Sequence, residues 1–383
     1  MRKVPKLRFK EFSDEWKEKK LGEFGKISMC KRIMKDQTTL TGDIPFYKIG
    51  TFGKKADAYI DKKLFEEYKE KYSFPKKGDI LLSASGTIGR TVIYDGKPAY
   101  FQDSNIVWIA TNEKIILNSF LNYLYSNIKW TIENTTIARL YNDNLANMKV
   151  NIPFLQEQEK IANFLFSIDK KISLTKEKLE LFREYKKGVM QKIFSQELRF
   201  KDNNGNDYPE WEEKKLGEIS EISAGGDIDK KNFLEKQNKE FIYPVYANTL
   251  EKKGLYGYSN IYKISGESIT VTARGNIGIA NYRKENYFPI VRLLVIKMNE
   301  IKYSLKYFTY FINTIKIIKE VTGVPQLTAP QLREYKVFFP TSLEEQQKIA
   351  DFLSSIDSKI ESIEKELEGL KEFKKGLLQQ MFV

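Results

Sequence analysis

The sequence contains no histidine and a single cysteine, Cys30. Without histidine, the chain lacks the usual general base of Ser-His-Asp and Cys-His enzymes and the commonest protein ligand of metal ions. One cysteine cannot form an internal disulfide, and the two shortages together argue against a structural zinc site. A single thiol also fits a reducing compartment, so we expect a cytoplasmic protein.

Several motifs and segment types are also missing. No Gly-Lys pair has the surrounding residues of a phosphate-binding P-loop, and no G-x-G-x-x-G follows a predicted strand. No stretch approaches the roughly 18 uncharged apolar residues of a membrane span. The basic N-terminal segment lacks the apolar core of a secretory signal. We therefore expect a non-catalytic protein without a membrane partner.

Basic residues dominate the charge. The formal net charge is +13 at pH 7, from 64 Lys and Arg against 51 Asp and Glu, and the chain has 22 Tyr and 25 Phe. A basic chain rich in aromatic residues favours a polyanionic partner, most simply nucleic acid. The alternative is an AT-rich genome, which raises the lysine content without such a partner. Only 11 of the 64 basic residues are arginine, so arginine positions are the more informative ones.

An internal repeat fills the chain. Residues 155–195 align without a gap on residues 343–383 at an offset of 188, and 21 of the 41 pairs are identical. A duplicated chain is expected to fold as a pseudo-dimer with two equivalent sites related by a rough two-fold axis. Duplex DNA is a two-fold-like target that paired modules read on paired half-sites. The lead-in segments repeat as well, as LRF (7–9 and 198–200) and EW-x-EKKLGE (15–23 and 210–218).

The repeated segment at the end of each unit has the pattern of a long helix. Its apolar residues recur at steps of four and three, as in a heptad seam. Each copy predicts one helix of about 40 residues, and since a single apolar stripe needs a partner, we expect the two helices to pack antiparallel as a coiled coil. The stripe residues are Ile161, Leu165, Ile168, Ile172, Thr175, Leu179, Phe182 and Val189 in the first copy, and Ile349, Leu353, Ile356, Ile360, Ile363, Leu367, Leu370 and Leu377 in the second.

Two less similar regions, about 20–152 and 215–340, precede these helices. Each has short strand-like runs broken by turn residues and then a helix-like stretch, which predicts two compact domains of one plan. The predicted fold is therefore α+β, with two pseudo-two-fold-related domains separated by two long antiparallel coiled-coil helices. The predicted segments are 1–152, 153–196, 197–340 and 341–383.

Matching turns, Gly86–Gly89 and Gly275–Gly278, follow predicted strands in the two regions. Such a turn could bring backbone close to a phosphate, or could simply need a positive φ. Side chains around these and other matched positions are better candidates for DNA contact, because Arg reads guanine and Asn or Gln reads adenine. The lysines among them are read equally well as solvated surface. The predicted DNA-binding residues are Lys31, Arg32, Lys48, Ser85, Arg90, Arg139, Lys230, Lys231, Tyr246, Asn248, Arg274, Asn276 and Gln326.

Arg139 and Gln326 occupy equivalent places in the two regions but differ in chemistry. Two readers of unlike half-sites would differ in this way, although both could also be ordinary surface side chains. Six apolar residues lie partly off the helix seam, which favours further protein partners. The predicted subunit-binding residues are Phe164, Phe166, Phe194, Phe352, Met381 and Phe382.

Each long helix follows a proline and begins L-x-E-Q-x-K-I-A-x-F-L-x-x-I-D-x-K-I, at 155–172 and 343–360, and each unit begins with W-x-x-K-K-L-G-E, at 16–23 and 211–218. With these motifs the chain resembles the DNA specificity (S) subunits of type I restriction–modification systems. The resemblance implies that the two variable regions are target recognition domains, each reading one half of a bipartite, asymmetric site. The helices would then set the spacing between half-sites and dock the methyltransferase subunits.

The same resemblance implies the partners and cofactors. Double-stranded DNA and two methyltransferase subunits are the expected partners, and a restricting system would add two restriction subunits. S-adenosylmethionine, ATP and Mg²⁺ would lie on those partner subunits, and this chain would bind none of them. From the residues alone, a stand-alone bipartite DNA-binding regulator and a coiled-coil scaffold without a DNA role stay open.

Overall fold

The structure is a computed structural model, and it describes residues 4–130, 140–317 and 325–383. The chain divides into two units, Met1–Lys176 with Lys365–Val383, and Glu177–Glu364. The two divisions fall at equivalent positions, because 176 plus the repeat offset of 188 is 364. Each unit therefore combines one variable region, the first half of the helix that follows it, and the last half of the other repeat's helix. Within the described ranges, no helix is long and apolar enough to cross a membrane.

The first unit contains two four-stranded sheets, a separate strand pair and short helices. Its strands are β1 (Lys17–Lys20), β2 (Gly25–Ser28), β3 (Thr38–Thr39), β4 (Ile44–Tyr47), β5 (Tyr59–Ile60), β6 (Ile80–Ser83), β7 (Thr91–Ile93), β8 (Tyr100–Phe101), β9 (Ile106–Thr111) and β10 (Lys149–Ile152). Its helices are α1 (Lys62–Lys71), α2 (Asn118–Asn127), α3 (Asn142–Asn147) and the first half of α4 (Leu155–Phe194). The sheets have the orders β2-β9-β6-β7 and β3-β5-β4-β8, and β1 pairs with β10.

The second unit repeats this plan. Its strands are β11 (Trp211–Lys215), β12 (Ser220–Ala224), β13 (Phe233–Leu234), β14 (Tyr243–Tyr246), β15 (Leu255–Ser259), β16 (Ser268–Val271), β17 (Ala280–Arg283), β18 (Phe288–Pro289), β19 (Leu294–Met298) and β20 (Lys336–Pro340). Its helices are α5 (Leu216–Ile219), α6 (Leu305–Ile312), α7 (Ala329–Arg333) and the first half of α8 (Leu343–Met381). The orders β12-β19-β16-β17, β13-β15-β14-β18 and β11-β20 match the first unit strand for strand, which confirms the predicted α+β fold.

The repeated Glu-Gln pair near the start of each long helix fastens that helix to its own domain. Glu157 is almost fully buried; it accepts hydrogen bonds from the Arg8 guanidinium at 2.7 and 2.8 Å and from Trp16 Nε1 at 3.3 Å. Glu345 does the same with Arg199, at 3.1 Å, and Trp211, at 3.2 Å. A buried carboxylate needs such partners to offset its lost hydration. The lead-in segments therefore repeat because each supplies the partners of its own buried glutamate.

The neighbouring glutamine binds the segment that precedes α2 in the first unit and α6 in the second. Gln158 accepts a hydrogen bond from Leu117 N and donates to Ile115 O and Pro153 O, each at 2.9 Å. Gln346 makes the equivalent three bonds in the second unit, with Ser304 N, Lys302 O and Pro340 O. Every polar group of a fully buried amide is thus used, so the L-x-E-Q motif is explained by the fold of each unit.

The two long helices meet inside each unit through a matched triad. In the first unit, the Asp169 carboxylate on α4 accepts hydrogen bonds from Tyr123, at 2.9 Å, and from Lys374 on α8, at 2.5 Å. Lys171 and Glu366 also pair, so residue numbers rise along one helix as they fall along the other, which confirms the antiparallel arrangement. In the second unit, the triad consists of Asp357, Tyr310 and Lys186.

The apolar stripe of the helices is buried, but its ends pack differently from the prediction. Ile161 and Leu165 lie in one core with Trp16 and Phe120 of the first domain, and this core also includes Leu377 and Met381 from the end of α8. The equivalent Ile349 and Leu353 lie in the core of the second domain. The first turns of each helix thus pack against their own domain as well as against the end of the other long helix.

Candidate nucleic-acid interface

Strand register brings most of the predicted DNA-binding positions of the first unit to one end of its sheets. Ser83 at the end of β6 pairs with Ile106 at the start of β9, so the loops beyond them are neighbours. Strands β4 and β8 are parallel, with Tyr47 opposite Phe101, so both lead out at that end. We call the resulting group, residues 29–34, 48–54, 84–90 and 102–105, the first loop cluster.

Hydrogen bonds tie these loops together. The Arg90 guanidinium donates to Phe52 O at 2.8 Å, and Arg32 pairs with Asp103 at 2.9 Å. Ser85 is buried and donates to the Asn105 side chain at 2.8 Å. Its hydroxyl therefore fixes a loop, and the predicted direct DNA contact by Ser85 is corrected to this positioning role. Arg32 keeps two-thirds of its side chain exposed.

Lys31 and Lys48 lie at the exposed surface of the same cluster. The Lys31 ammonium stands 5.1 Å from the centre of the Tyr72 ring, and Lys48 pairs with Asp57 at 2.9 Å. Exposed pairs of this kind are weak and exchange readily for a phosphate. Their predicted contact with DNA stays a prediction. Arg139 lies outside the described residues, although Leu140, the next residue, donates its N–H to Ala84 O beside the cluster.

The glycine turns are needed for packing as well as for backbone geometry. Gly89 and Gly278 have φ of 88° and 92°. A Cβ added to Gly89 would lie 2.1 Å from Trp130 Nε1, and one added to Gly278 would lie 2.7 Å from Ile317 Cδ1. These distances favour the tight-turn interpretation over a phosphate cradle at these two positions.

The second unit forms an equivalent second loop cluster, residues 225–232, 247–253, 272–279 and 290–293. Register places it as in the first unit, because Val271 at the end of β16 pairs with Leu294 at the start of β19. Arg274 donates from Nε and Nη2 to the Gln326 side-chain oxygen, at 3.2 and 3.0 Å. Leu327 N bonds to Ala273 O, as Leu140 N bonds to Ala84 O, so Leu327 and Leu140 occupy equivalent places in the two units.

The other predicted DNA-binding residues of the second unit divide by exposure. Lys230, Lys231 and Asn276 are exposed and available to a ligand. Tyr246 is buried, hydrogen-bonds to Glu285 at 2.5 Å and lies under the Arg283 guanidinium, whose Cζ is 3.6 Å from the ring centre. The predicted DNA contact by Tyr246 is therefore wrong.

Asn248 has a positioning role inside the second loop cluster. Its side-chain oxygen accepts the N–H of Ala273 at 2.6 Å, and its Nδ2 donates to Val291 O at 2.6 Å. One amide thus connects the turn after β18 to the loop after β16. Its predicted base contact stays a prediction, and both its side-chain oxygen and its side-chain nitrogen already have a hydrogen-bond partner inside the chain.

Most of the predicted subunit-binding residues pack inside the chain. Met381 and Phe382 are buried in the core of the first unit, where the Phe382 ring stacks on Phe120 at 5.3 Å, so the expectation that they are free surface is wrong. Phe194, the repeat equivalent of Phe382, contacts the rings of Tyr307 and Phe311, at 5.8 and 5.4 Å.

The remaining three lie nearer the helix starts. Phe164 and Phe352 pack edge-on against the lead-in residues Phe9 and Phe200, at 5.8 and 5.5 Å. Phe166 has 63% of its surface exposed and stays a candidate for partner contact.

The described residues contain no group of three or more carboxylate or thiol side chains that could hold a metal ion. Cys30 lies in the core of the first unit, and burial raises the pKa of its thiol to about 12, so it is a poor nucleophile at neutral pH.

Arg292 is a surface residue of the second loop cluster that the sequence did not single out. The rarity of arginine was the one signal that pointed to it.

Comparison with known proteins supports the resemblance. A family model described as the type I restriction modification DNA specificity domain matches residues 13–181 and 208–372. The chain belongs to this family. The two matched segments correspond to the two repeats, so each repeat carries one specificity domain.

Individual relatives agree with this membership. A type I restriction enzyme specificity subunit of Haemophilus influenzae is 64% identical over 146 residues, which is 38% of each chain. One from Mycoplasma pneumoniae is 31% identical over 212 residues, or 55% of this chain and 56% of the relative. The chain thus spans 38% of the length of the first relative and 56% of the length of the second. The MjaVIII specificity subunit of Methanocaldococcus jannaschii matches along 95% of this chain and 91% of its own, at 26% identity.

A solved structure shares the fold. The crystal structure of a type I restriction–modification S subunit from M. genitalium superposes with a TM-score of 0.66 over 99% of both chains, at 18% identity. At that identity the likeness concerns the fold alone. Specificity-domain architecture, including the two long helices, therefore extends over the whole of this chain.

Proposed function

We propose that this chain is the non-catalytic specificity subunit of a type I restriction–modification complex, and that its two loop clusters read the two halves of a bipartite, asymmetric DNA site. One observation carries the proposal: the two units have the same strand orders, but different side chains at matched loop positions. Ser85 stands where the second unit has Arg274, and Ser104 stands where it has Arg292. A repeated frame with unlike side chains suits a target whose two halves differ.

The chemistry of the clusters suits duplex DNA. Arginine forks match guanine O6 and N7, amides match adenine N6 and N7, and exposed lysines neutralise phosphates. The second loop cluster offers Arg274 and Asn276, with Gln326 beside Arg274, and the first offers Arg32 and Arg90. The net charge of +13 adds a general attraction to the phosphate backbone, which salt should weaken steeply.

We further propose that the long helices dock two methyltransferase subunits, and two restriction subunits where the system restricts. Phe166 is the exposed aromatic residue that best suits such a contact among those predicted. S-adenosylmethionine, ATP and Mg²⁺ would be bound by those partners, and the chain would act in the cytoplasm, where its DNA target lies.

Selection from random duplexes tests this function. The chain would be co-purified with the methyltransferase subunit of its system, and native mass spectrometry would give the stoichiometry. We expect one specificity chain to two methyltransferase chains. DNA selected by this complex should share two short specific parts separated by a fixed gap. A single contiguous motif, or no motif, would contradict the proposal.

A further inference from the structure

A strained turn in the second loop cluster carries an arginine. The turn Ile290–Leu293 is closed by a hydrogen bond from Leu293 N to Ile290 O at 3.0 Å. Its central residues, Val291 and Arg292, have φ of 54° and 57°. Two positive φ values are what a type I′ turn requires, and Asn and Gly are the residues that suit it. A β-branched residue there is a true outlier, and such strain persists only where surrounding contacts impose it.

The contacts that impose the turn come from two sides. On one side, Gly225 N bonds to Leu293 O at 2.8 Å, and Val291 N bonds to Gly226 O at 3.3 Å. A Cβ on Gly225 would lie only 2.6 Å from Pro289 O, so this close approach depends on glycine. On the other side, Asn248 Nδ2 donates to Val291 O at 2.6 Å. The backbone that carries Arg292 is therefore held rigidly in an unfavourable conformation.

Arg292 differs from the other described arginines. Of the 11 in the chain, Arg2 and Arg139 lie outside the described residues, which leaves nine. Eight of the nine donate hydrogen bonds or pair with carboxylates: Arg8, Arg32, Arg90, Arg183, Arg199, Arg274, Arg283 and Arg333. Among the residues that the structure describes, the exposed Arg292 guanidinium alone has no such partner.

The turn is connected to the Arg274–Gln326 pair. Asn248 bridges from Val291 O to Ala273 N, the residue before Arg274, and Arg274 in turn donates to Gln326. These bonds form one continuous chain from the strained turn to the pair. The Arg274 guanidinium already has an intramolecular acceptor, whereas the Arg292 guanidinium presents a free fork of donors at the same end of the sheets. Such a fork matches guanine O6 and N7 in the major groove.

The first unit shares one left-handed residue of this turn, but not the arginine. Ser104 occupies the equivalent position and has a φ of 51°. Its neighbour Asp103 pairs with Arg32. The left-handed position is thus part of the common plan, and the side chain placed there differs between the units. This is the arrangement expected of a position that distinguishes one half-site from the other.

We propose that Arg292 is a specificity-determining residue that reads a guanine in the half-site of the second unit, with the strained turn fixing its direction of approach. The inference rests on the proposed function above. We assign base contact to Arg292, because an arginine that only neutralised a phosphate would not need its backbone held in one conformation.

Affinity measurements on selected DNA test this assignment. The complex with its methyltransferase would be selected on random duplexes, and the resulting site titrated by fluorescence anisotropy with Arg292→Ala, Arg292→Lys and the wild type. Lys236→Ala, which removes an exposed charge outside the cluster, is the control. We expect Arg292→Ala to weaken binding about ten- to a hundredfold and to relax one G·C pair in one half-site.

Arg292→Lys distinguishes base reading from charge. It keeps the positive charge but loses the planar fork, so it should relax the same base pair. Lys236→Ala should leave the selected motif unchanged, and all variants should keep the wild-type melting temperature. The assignment is overturned if the wild type selects a split motif that Arg292→Ala selects equally well, or if Arg292→Lys keeps full specificity. Failure of the wild type itself to select a split motif would instead refute the proposed function.

Discussion

Arg8 and Glu157 form a two-pronged ion pair, at 2.7 and 2.8 Å, across 149 residues of chain. The carboxylate is 2% exposed and also accepts the Trp16 indole N–H. Truncating one partner of a buried pair is costly because the other charge stays buried without compensation. We expect Glu157→Gln to lower the free energy of unfolding of the first unit by about 3 kcal/mol. Urea denaturation followed by circular dichroism measures this change.

Glu159→Gln is the matched control for that experiment, because Glu159 lies in the same helical turn and is exposed. It should change stability by no more than about 0.5 kcal/mol. Equal effects of the two substitutions would show that the buried pair does not fasten the helix to the domain.

Asp169 and Lys374 connect the two long helices within the first unit. Their side chains are 35% and 26% exposed, so solvent screens the pair. We expect a double-mutant cycle of Asp169→Asn and Lys374→Met to give a coupling energy of about 0.5–1 kcal/mol. The same cycle with Lys375, which is exposed and adjacent, should give a coupling near zero. Coupling to Lys375 as large as to Lys374 would contradict the described contact.

Val291 should be replaceable with a gain in stability. Its φ of 54° suits asparagine, and its side chain is 43% exposed, so little apolar burial is lost. We expect Val291→Asn to stabilise the second unit by about 1 kcal/mol, measured as a rise in melting temperature. Val295→Asn, in the buried strand β19, should destabilise it strongly and serves as the contrast. A fall in melting temperature for Val291→Asn would refute the strained turn.

Cys30 should report on unfolding of the first unit. Thiolate is the reactive form, and burial raises the pKa of this thiol from an ordinary value of 9.0 to about 12. At pH 9 the unfolded thiol is half ionised, while the native thiol stays protonated. The stability that this group contributes therefore declines as the pH rises from about 9 to about 12. We expect maleimide labelling at pH 8 to be slow in buffer and fast in urea. Labelling of the native protein at the rate of free cysteine would contradict the burial.

Gln326 lies beside Arg274, whereas Arg139, its counterpart in the sequence repeat, lies outside the described residues. We expect Arg139→Ala to change recognition of one half-site and Gln326→Ala the other, at a cost of roughly 1–3 kcal/mol per base contact. Selection of random duplexes by each variant complex measures this. If neither substitution changes recognition of its half-site, the residues that read the bases lie elsewhere.

Much of the fold follows from local pattern. The stepwise apolar residues predicted two helices of about 40 residues, which the structure has at Leu155–Phe194 and Leu343–Met381, and the repeat predicted two domains of one plan. Pattern alone could not show which surface covers each stripe. Met381 and Phe382 therefore looked like docking residues, although the first domain's core buries them.

The site was harder to predict, because its parts are assembled by tertiary contacts. Tyr246 was a reasonable candidate by matched position, but its burial with Arg283 depends on strands far along the chain. Arg292 was missed because its positive φ is imposed by Gly225, Gly226 and Asn248, which no local pattern connects to it. Arg274 and Gln326 were predicted because their residue types suit base contact, and the structure places the two side chains together.

A methylome tests the central claim most directly. The chain and its neighbouring methyltransferase gene would be expressed in a host free of adenine methylation, and N6-methyladenine mapped by long-read sequencing. The account predicts one split motif, with two short specific parts around a fixed gap, that disappears when this chain is omitted. An active, bound methyltransferase that produces no new methylation, or a contiguous motif that persists without this chain, would contradict it.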